Sequence, residues 1–312
     1  MKEYVYGIDI GGTNIKLGLF LLPSMKLVAI KETQTPKLNQ EISIFDKIKS
    51  EITEMNNENK IEFLQIKGVG AAVPCPVKNG HVEKCPNLNW SKLDIIYAFS
   101  KVLPEHVRIA VSNDATLAAF GENQVLERPY KNAVFYTLGT GVGGGIIING
   151  EILEGASGLG GEIGHMRVFD GATDTCGCGS KGCLEQICGT SAILNYAKEL
   201  SLSLKSNIDF DNLSVKAVFD SAKVGDEVGF RVINRVAEYI AISASIIAVI
   251  LDPDVFIIGG GVSKAGSFLI DLITQHYQKH ARFSSYKIPF LLAKTGNDAG
   301  IIGAAYLIQK QI

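Results

Sequence analysis

The sequence carries almost no net charge. Its 30 lysines and arginines nearly balance 32 aspartates and glutamates, which leaves a formal net charge of −2 at pH 7. A chain that binds nucleic acid or an anionic membrane through its overall field needs a basic excess, and this one has none. We therefore expect neither nucleic acid nor a membrane among its partners.

Long hydrophobic runs and a leader segment are also missing. The longest apolar stretch, from Tyr239 to Leu251, contains two serines and falls short of the roughly 20 residues that span a bilayer. We interpret it as a buried helix. The first residues show no basic segment followed by an apolar one, so we expect no secretion and a cytoplasmic location.

The six cysteines lack the even spacing of a disulfide framework. Three of them are scattered along the chain: Cys75, Cys85 and Cys188. The other three fall within eight residues: Cys176, Cys178 and Cys183. This usage is typical of a chain in a reducing compartment with one metal site.

The clustered cysteines form a set of four metal ligands when His165, eleven residues before Cys176, is added. Four is the number that a closed tetrahedral zinc site needs, and a closed site leaves no position for water, so the zinc would be structural. His165 has an alternative role, because one ring nitrogen can bind zinc while the other contacts a substrate. Glu162 and Glu185 flank the cluster, either as acceptors for substrate hydroxyl groups or as surface carboxylates.

Strands and helices alternate along the chain, with no linker rich in proline or serine. This alternation predicts an α/β protein with at least partly parallel sheets. Predicted strands cover 4–10, 15–22, 27–32, 66–73, 107–112, 133–138, 144–149, 255–258 and 288–293. Predicted helices cover 41–56, 93–102, 114–123, 189–200, 213–224, 226–251, 266–281 and 299–310. A strand followed by a Gly/Thr turn occurs at 8–13 and again at 136–141, which suggests two related halves.

The first glycine turn follows the first predicted strand. Gly11 and Gly12 let backbone N–H groups approach a phosphate with no Cβ in the way. Thr13 adds a hydroxyl donor and Lys16 adds a charge. The spacing matches neither the Walker loop nor the dinucleotide fingerprint, so this is a phosphate-binding hairpin or an ordinary one. Asp9 would repel phosphate unless a cation intervenes, which indicates Mg²⁺ held through water.

Two more glycine turns follow strands in the second half. Gly139, Thr140 and Gly141 form a turn richer in glycine than a hairpin needs. Two such turns in equivalent places favour one polyphosphate held between two domains. Gly260 follows a buried strand, where a flat adenine or ribose would be able to lie on the backbone. A tight structural turn is the alternative for both.

Asn113 and Asp114 mark the end of a predicted strand and the start of a helix. Aspartate fills the N-cap of a helix well, and the residues alone favour that role for Asp114. The alternative is a carboxylate that accepts the proton of an alcohol during phosphoryl transfer. Asn113 would then hydrogen-bond a neighbouring hydroxyl group.

Taken in order, these motifs resemble the ROK family of bacterial sugar kinases and repressors over essentially the whole chain. The segments that carry the resemblance are DIGGTNIKLGL at 9–19, PNLNW at 86–90, NDA at 113–115, LGTGVGGGIIINGEILEGASGLGGEIGH at 138–165, CGCGSKGCLE at 176–185 and IIGGGVS at 257–263. The long glycine segment and the cysteine motif are together highly specific.

The resemblance implies an α/β, actin-like (ribonuclease-H-like) two-domain sugar kinase fold with an interdomain cleft. We predict a small N-terminal domain of 1–114 plus 299–312 and a larger one of 115–298. The resemblance implies that Asp114 is the catalytic base. It implies zinc ligands at His165, Cys176, Cys178 and Cys183. It implies sugar contacts at Asn113, Glu162, His165 and Glu185. It implies nucleotide contacts in the segments that hold Gly11, Gly12, Thr13, Thr140, Gly141 and Gly260.

The repressors of the family carry an N-terminal winged helix-turn-helix, for which no room precedes the first hairpin, so we expect a kinase. The resemblance implies ATP, Mg²⁺, Zn²⁺ and a homodimer that phosphorylates a hexose, with glucose favoured. N-acetylmannosamine kinase, allose kinase and fructokinase are alternatives within the family. A non-catalytic sugar sensor and a zinc interaction module are alternatives of other classes. Many relatives have Pro-Gly-Pro where this chain has Pro74-Cys75-Pro76, and we expect Cys75 to crowd the sugar site.

Overall fold

The computed structural model describes residues 1–37, 40–283 and 285–312. The strands are β1 (Tyr4–Ile10), β2 (Asn14–Leu21), β3 (Lys26–Gln34), β4 (Ile66–Val73), β5 (His81–Cys85), β6 (Trp90–Asp94), β7 (Arg108–Asn113), β8 (Ala133–Leu138), β9 (Val142–Ile148), β10 (Glu151–Ile152), β11 (Val255–Gly259) and β12 (Phe290–Leu292). The helices are α1 (Gln40–Glu58), α2 (Ile95–Ser100), α3 (Asp114–Gln124), α4 (Glu185–Cys188), α5 (Thr190–Ser201), α6 (Val215–Lys223), α7 (Glu227–Leu251), α8 (Ser267–His280) and α9 (Ala299–Gln309).

The chain forms two compact units. Unit 1 comprises Met1–Pro129, Ile152–Gly160 and Asn297–Ile312, and unit 2 comprises Tyr130–Glu151 and Gly161–Gly296. The predicted return of the C-terminal helix to the first unit matches this division, but the boundary at residue 114 does not. Unit 1 continues past residue 114 because α3 packs along α9.

The two five-stranded sheets share one topology. Unit 1 has the order β3-β2-β1-β4-β7, and the sheet of unit 2 has the order β10-β9-β8-β11-β12. In each sheet the first hairpin is antiparallel, β1 with β2 and β8 with β9, and the next two strands are added in parallel. The expectation of two related halves is therefore met at the level of topology.

A row of glycines in the first sheet lets α9 pack directly against the strands. Gly18, Gly7 and Gly70 are register partners on β2, β1 and β4. A Cβ atom on Gly7 would lie 1.8 Å from the Ile301 carbonyl oxygen. A Cβ atom on Gly70 would lie 1.8 Å from the Ala304 carbonyl oxygen. Only hydrogen at these positions lets the helix backbone come this close to the sheet.

The contact between α3 and α9 uses glycine in the same way. A Cβ atom on Gly303 would lie 1.8 Å from the carbonyl oxygen of Leu117, and one on Gly121 would lie 2.4 Å from that of Ala299. The two helix backbones therefore touch. This contact fixes the position of α3, and with it the start of α3 at Asp114.

The opposite side of the first sheet is covered by α1 and a small hairpin. Ile44, Ile48 and Ile52 on α1 are fully buried, as their helical spacing predicts. The ring of Trp90 on β6 stacks on Phe45 at 5.8 Å between centroids. The hairpin of β5 and β6 was not predicted. The predicted helix 93–102 is correspondingly shorter, because Asp94 ends β6 and its side chain caps α2 by accepting from the Tyr97 N–H.

The core of unit 2 is built around α7. This helix is long and apolar enough, by length and composition, to cross a membrane. Half of its most apolar window is nevertheless buried within the fold, and Val236, Ile240 and Ala244 belong to the hydrophobic core of this unit. The interpretation of 239–251 as helix is confirmed, and its burial is confirmed in part, because Val249 and Ile250 near its end are exposed.

Candidate active site and metal centre

The four predicted metal ligands in unit 2 converge. The ligand atoms of His165, Cys176, Cys178 and Cys183 all lie within 4.8 Å of one another. The Sγ atoms of Cys178 and Cys183 are 3.6 Å apart. A tetrahedral zinc with bonds of about 2.3 Å to sulfur separates its sulfur ligands by about 3.8 Å. The donor set and its spacing therefore fit a closed Zn²⁺ site.

The two ring nitrogens of His165 face different groups. Nδ1 lies 3.5 Å from the Cys176 Sγ, on the side of the metal ligands. Nε2 lies 3.9 Å from a carboxylate oxygen of Glu162. This arrangement accommodates the alternative in which one nitrogen binds zinc and the other faces a substrate.

Glu185, the first residue of α4, connects the cysteine cluster with the β8–β9 turn. Its Oε2 accepts a hydrogen bond from the Val142 N–H at 3.1 Å, and its Oε1 lies 3.7 Å from the Cys176 Sγ. A Cβ atom on Gly141 would lie 1.9 Å from Oε2. Glu185 is therefore a half-buried, hydrogen-bonded carboxylate and not a plain surface group.

The two predicted nucleotide turns of unit 2 are neighbours. The Gly139 carbonyl accepts from the N–H and the hydroxyl of Thr190, at the start of α5. Gly260 has a φ of +80° and lies so close to β8 that a Cβ there would be 2.4 Å from the Leu138 carbonyl oxygen. Glycine is required at 260 by both conformation and space. Unit 2 thus brings together Gly139, Thr140, Gly141, Gly260, Glu185 and the cysteine cluster.

In unit 1 the first glycine hairpin has the predicted form. The Gly11 N–H donates to the Asn14 carbonyl at 2.9 Å, and the Thr35 hydroxyl donates to the Gly11 carbonyl at 2.6 Å. A Cβ on Gly12 would lie 2.8 Å from the Asn87 carbonyl oxygen, so the PNLNW segment packs against the turn. The contribution of Thr35 and Asn87 was missed, because neither residue type signals such a contact.

Lys16 has a partner that the sequence did not suggest. Its Nζ lies 2.5 Å from the Asp298 carboxylate and 3.3 Å from the Asn297 carbonyl oxygen. Asp9 is its register partner across the hairpin. Lys16 is therefore paired with Asp298 within unit 1, and its contact with a phosphate stays a prediction.

Asp9 is held in an unfavourable place for a charge. Burial, and then the nearby Asp114 carboxylate, raise the pKa of Asp9 from 3.8 to about 6, against an opposing effect of Lys16. Asp9 also packs closely on α9, since a Cβ on Gly300 would lie 2.9 Å from its Oδ2. The two predicted active-site carboxylates of unit 1 are thus close enough to interact.

Asn113, not Asp114, is the N-cap of α3. Its Oδ1 accepts from the Thr116 N–H at 3.1 Å, and its Nδ2 lies 3.4 Å from the Cys75 carbonyl oxygen. Asp114 is the first residue of the helix and accepts from the Ala115 N–H. The cap role that the residues alone favoured for Asp114 is therefore wrong.

Cys75 points into the core of unit 1. Its side chain is 4% exposed, and its thiol is hydrogen-bonded to that of the fully buried Cys85. The crowding of a sugar site by this side chain stays a prediction. Two parts of Cys75 lie near predicted site residues. Its backbone carbonyl faces Asn113. The pKa of its thiol is raised by the hydrogen bond to Cys85, by burial and also by the charge of the Asp114 carboxylate.

The model of the ROK family matches residues 5–311 of this chain. The chain belongs to the ROK family. Among its relatives, "Glucokinase" of Halalkalibacterium halodurans is 34% identical over 99% of this chain and 96% of that protein. "N-acetylmannosamine kinase" of Vibrio cholerae is 30% identical over 96% of this chain and 97% of that protein.

A solved ROK structure has the same fold. The ROK family glucokinase from Streptomyces griseus, in complex with glucose and AMPPNP, matches this chain with a TM-score of 0.74 and 29% identity, covering 97% of this chain and 98% of that one. The predicted actin-like sugar kinase fold is confirmed by this match.

In this ROK protein, the closeness of Gly141 and Glu185 leads to a prediction. Gly141→Ala places a methyl group 1.9 Å from the present position of Oε2, so the carboxylate or the turn must move. We expect the KM for the sugar or ATP to rise at least tenfold. Gly139→Ala, in the same turn, is the matched comparison because a Cβ there meets nothing within 4 Å. Steady-state kinetics with equal losses in both variants would contradict the close contact.

The raised pKa of Asp9 predicts how the stability of this ROK protein depends on pH. Between about pH 4 and pH 6 the folded state holds a proton on Asp9 that the unfolded state releases. The free energy of unfolding therefore falls as the pH rises through this range, and it stays constant above it. Asp9→Asn removes the unfavourable free energy of a buried negative charge at this position. We expect the variant, free of Mg²⁺ and nucleotide, to be more stable than the parent by about 1–3 kcal/mol at pH 8.

Urea unfolding at pH 4 and pH 8 checks this result. The difference between the variant and the parent should become small towards pH 4, where the folded state of the parent keeps the proton and its unfolded state carries it in part. A variant that is less stable than the parent at pH 8 would show that Asp9 is stabilised as an anion instead.

Proposed function

We propose that this ROK protein transfers the terminal phosphoryl group of ATP to a hexose, with glucose as the favoured substrate and glucose 6-phosphate as the product. The names of its relatives support the reaction class. The observation that carries the proposal lies in unit 1, where burial, and then the charge of the nearby Asp114 carboxylate, raise the pKa of Asp9 beside the glycine hairpin. This closeness supports Asp114 as the proposed base beside the proposed phosphate-binding turn.

In this mechanism Asp114 accepts the proton of the sugar hydroxyl as its oxygen attacks the phosphorus. The cap of α3 is Asn113 and not Asp114. Asp9 would hold Mg²⁺ through water, and the bound ion would offset the negative charge of the phosphoryl group. Backbone N–H groups would bind the phosphates at Gly12, Thr13, Thr140, Gly141 and Gly260. Gly11 and Gly139 would shape these turns instead, because their N–H groups donate to the carbonyls of Asn14 and Gly141. Sugar hydroxyl groups would be held by Asn113, Glu162, His165 and Glu185.

An ADP-release assay across glucose, N-acetylmannosamine, allose, fructose and mannose tests the proposal. We expect the highest kcat/KM with glucose. ADP release that depends on none of these sugars would contradict the kinase activity, and a higher kcat/KM with another sugar would contradict the choice of glucose only. N-acetylmannosamine is the second candidate, favoured by the 30% identity to the Vibrio cholerae kinase.

The cysteine cluster is proposed to hold a structural Zn²⁺ that keeps His165 and Glu185 in place. Cys178→Ala should therefore lose zinc and raise the KM for the sugar, because a three-ligand remnant binds the ion weakly and the loop loses its order. Metal analysis of the purified protein should give one zinc per chain in the parent and in Cys188→Ala, which changes a cysteine outside the cluster. A parent protein without zinc would contradict the proposal.

We also propose that the protein is a cytoplasmic homodimer that acts at the entry of glycolysis. Apolar side chains exposed near the end of α7, among them Val249 at 56% and Ile250 at 71%, support a partner surface there. Light scattering after size exclusion should give twice the chain mass of 33.6 kDa.

A further inference from the structure

Gln186, next to Glu185 in α4, makes three hydrogen bonds to the backbone of the cysteine loop, residues 174–183. Its Oε1 accepts from the N–H of Gly182 at 2.8 Å and from that of Cys183 at 3.2 Å. Its Nε2 donates to the Asp174 carbonyl oxygen at 2.9 Å. One side-chain amide thus ties the beginning of the loop to its end.

The loop needs such a tie because its own sequence is flexible. Three glycines separate the cysteines, and Gly179 and Gly182 have left-handed φ values of +87° and +80°. Glycine loses more conformational freedom on ordering than other residues. Backbone bonds hold the turn, where the Gly179 N–H donates to the Cys176 carbonyl, and they pair the end of the loop with residues 167–168. None of these bonds reaches Asp174 at the beginning of the loop.

The bonds of Gln186 act directly on a metal ligand. The Oε1 atom holds the peptide N–H groups of Gly182 and Cys183, and so fixes the backbone from which the Cys183 thiol projects. Through the chain, the same helical turn carries Glu185, which accepts from the Val142 N–H. A shift of this turn would therefore move a metal ligand and a predicted sugar ligand together.

We propose that Gln186 is the positioning residue of the zinc centre. It pre-forms the ligand loop, slows the release of Zn²⁺ and holds Glu185 against the β8–β9 turn. This inference rests on the proposed zinc site. Residues that hydrogen-bond around a metal site commonly change metal affinity by about 10–100-fold when they are replaced, which sets the expected scale.

The test compares zinc release from three variants of the full chain. Gln186→Leu keeps the approximate size but loses all three bonds. Gln186→Glu keeps an oxygen for the Gly182 and Cys183 N–H groups but cannot donate to Asp174. Lys181→Ala is the control, because Lys181 is an exposed residue of the same loop. Zinc-loaded protein is mixed with an excess of a chromogenic chelator, and the release rate is recorded together with kcat and KM for glucose and ATP.

We expect Gln186→Leu to release zinc about 10–100-fold faster than the parent, Gln186→Glu to fall between them, and Lys181→Ala to match the parent. The KM for glucose should rise in the same order, with kcat changed less. Release from Gln186→Leu at the parent rate would overturn the inference. If Gln186→Leu does not fold, parent-like release from Gln186→Glu would overturn it. A parent that binds no zinc would instead contradict the zinc site itself.

Discussion

Replacement of Asp114 by asparagine is expected to lower kcat by about 10²–10⁴-fold, the usual contribution of a general base, while the affinity for the sugar changes little. The amide has nearly the same shape as the carboxylate but cannot accept the proton of the attacking hydroxyl. The start of α3 should stay intact, because the capping bond belongs to Asn113. The ADP-release assay measures kcat, and calorimetric titration with glucose measures binding.

Asp94→Asn is the matched control for this variant. Asp94 also stands at the start of a helix, where its side chain caps α2, and asparagine caps nearly as well as aspartate. We therefore expect unchanged kcat in this control. An Asp114→Asn variant that keeps more than a tenth of the parent kcat would remove Asp114 from the role of base.

A methyl group at Gly303 is expected to destabilise unit 1 and to lower activity together. By helix propensity alone, Gly303→Ala would stabilise α9 by about 1 kcal/mol. The Cβ would, however, lie 1.8 Å from the Leu117 carbonyl oxygen, so α3 and α9 must separate. Overpacking of this kind typically costs about 1–3 kcal/mol, and the displaced helix begins at Asp114.

Urea unfolding and kcat measured on the same preparation check this prediction. Gly261→Ala serves as the control for stability, because a Cβ at that position meets nothing within 4 Å and its φ is not left-handed. If Gly303→Ala is as stable as the parent, the helices can move apart without cost, and the contact does not fix Asp114.

Elements whose signal is local could be predicted from the sequence. The buried strand β1, the hydrophobic face of α1 and the long helix α7 each follow from the spacing of apolar residues within one segment. The short hairpin of β5 and β6 has a weaker pattern, so the predicted helix 93–102 began too early. The cysteine cluster was found because its ligands are close in sequence as well as in space.

The sequence by itself therefore determined the class of the fold, most of its helices and strands, and the four residues of the candidate metal centre. Only the tertiary structure decided that α3 belongs to unit 1 and that Lys16 pairs with Asp298. It also decided that the Cys75 side chain is buried in the core and that Gln186 hydrogen-bonds both ends of the cysteine loop. Lys16 and its carbonyl partner Asn297 are 281 residues apart. Such contacts depend on how the elements pack, and no periodicity within a single segment encodes them.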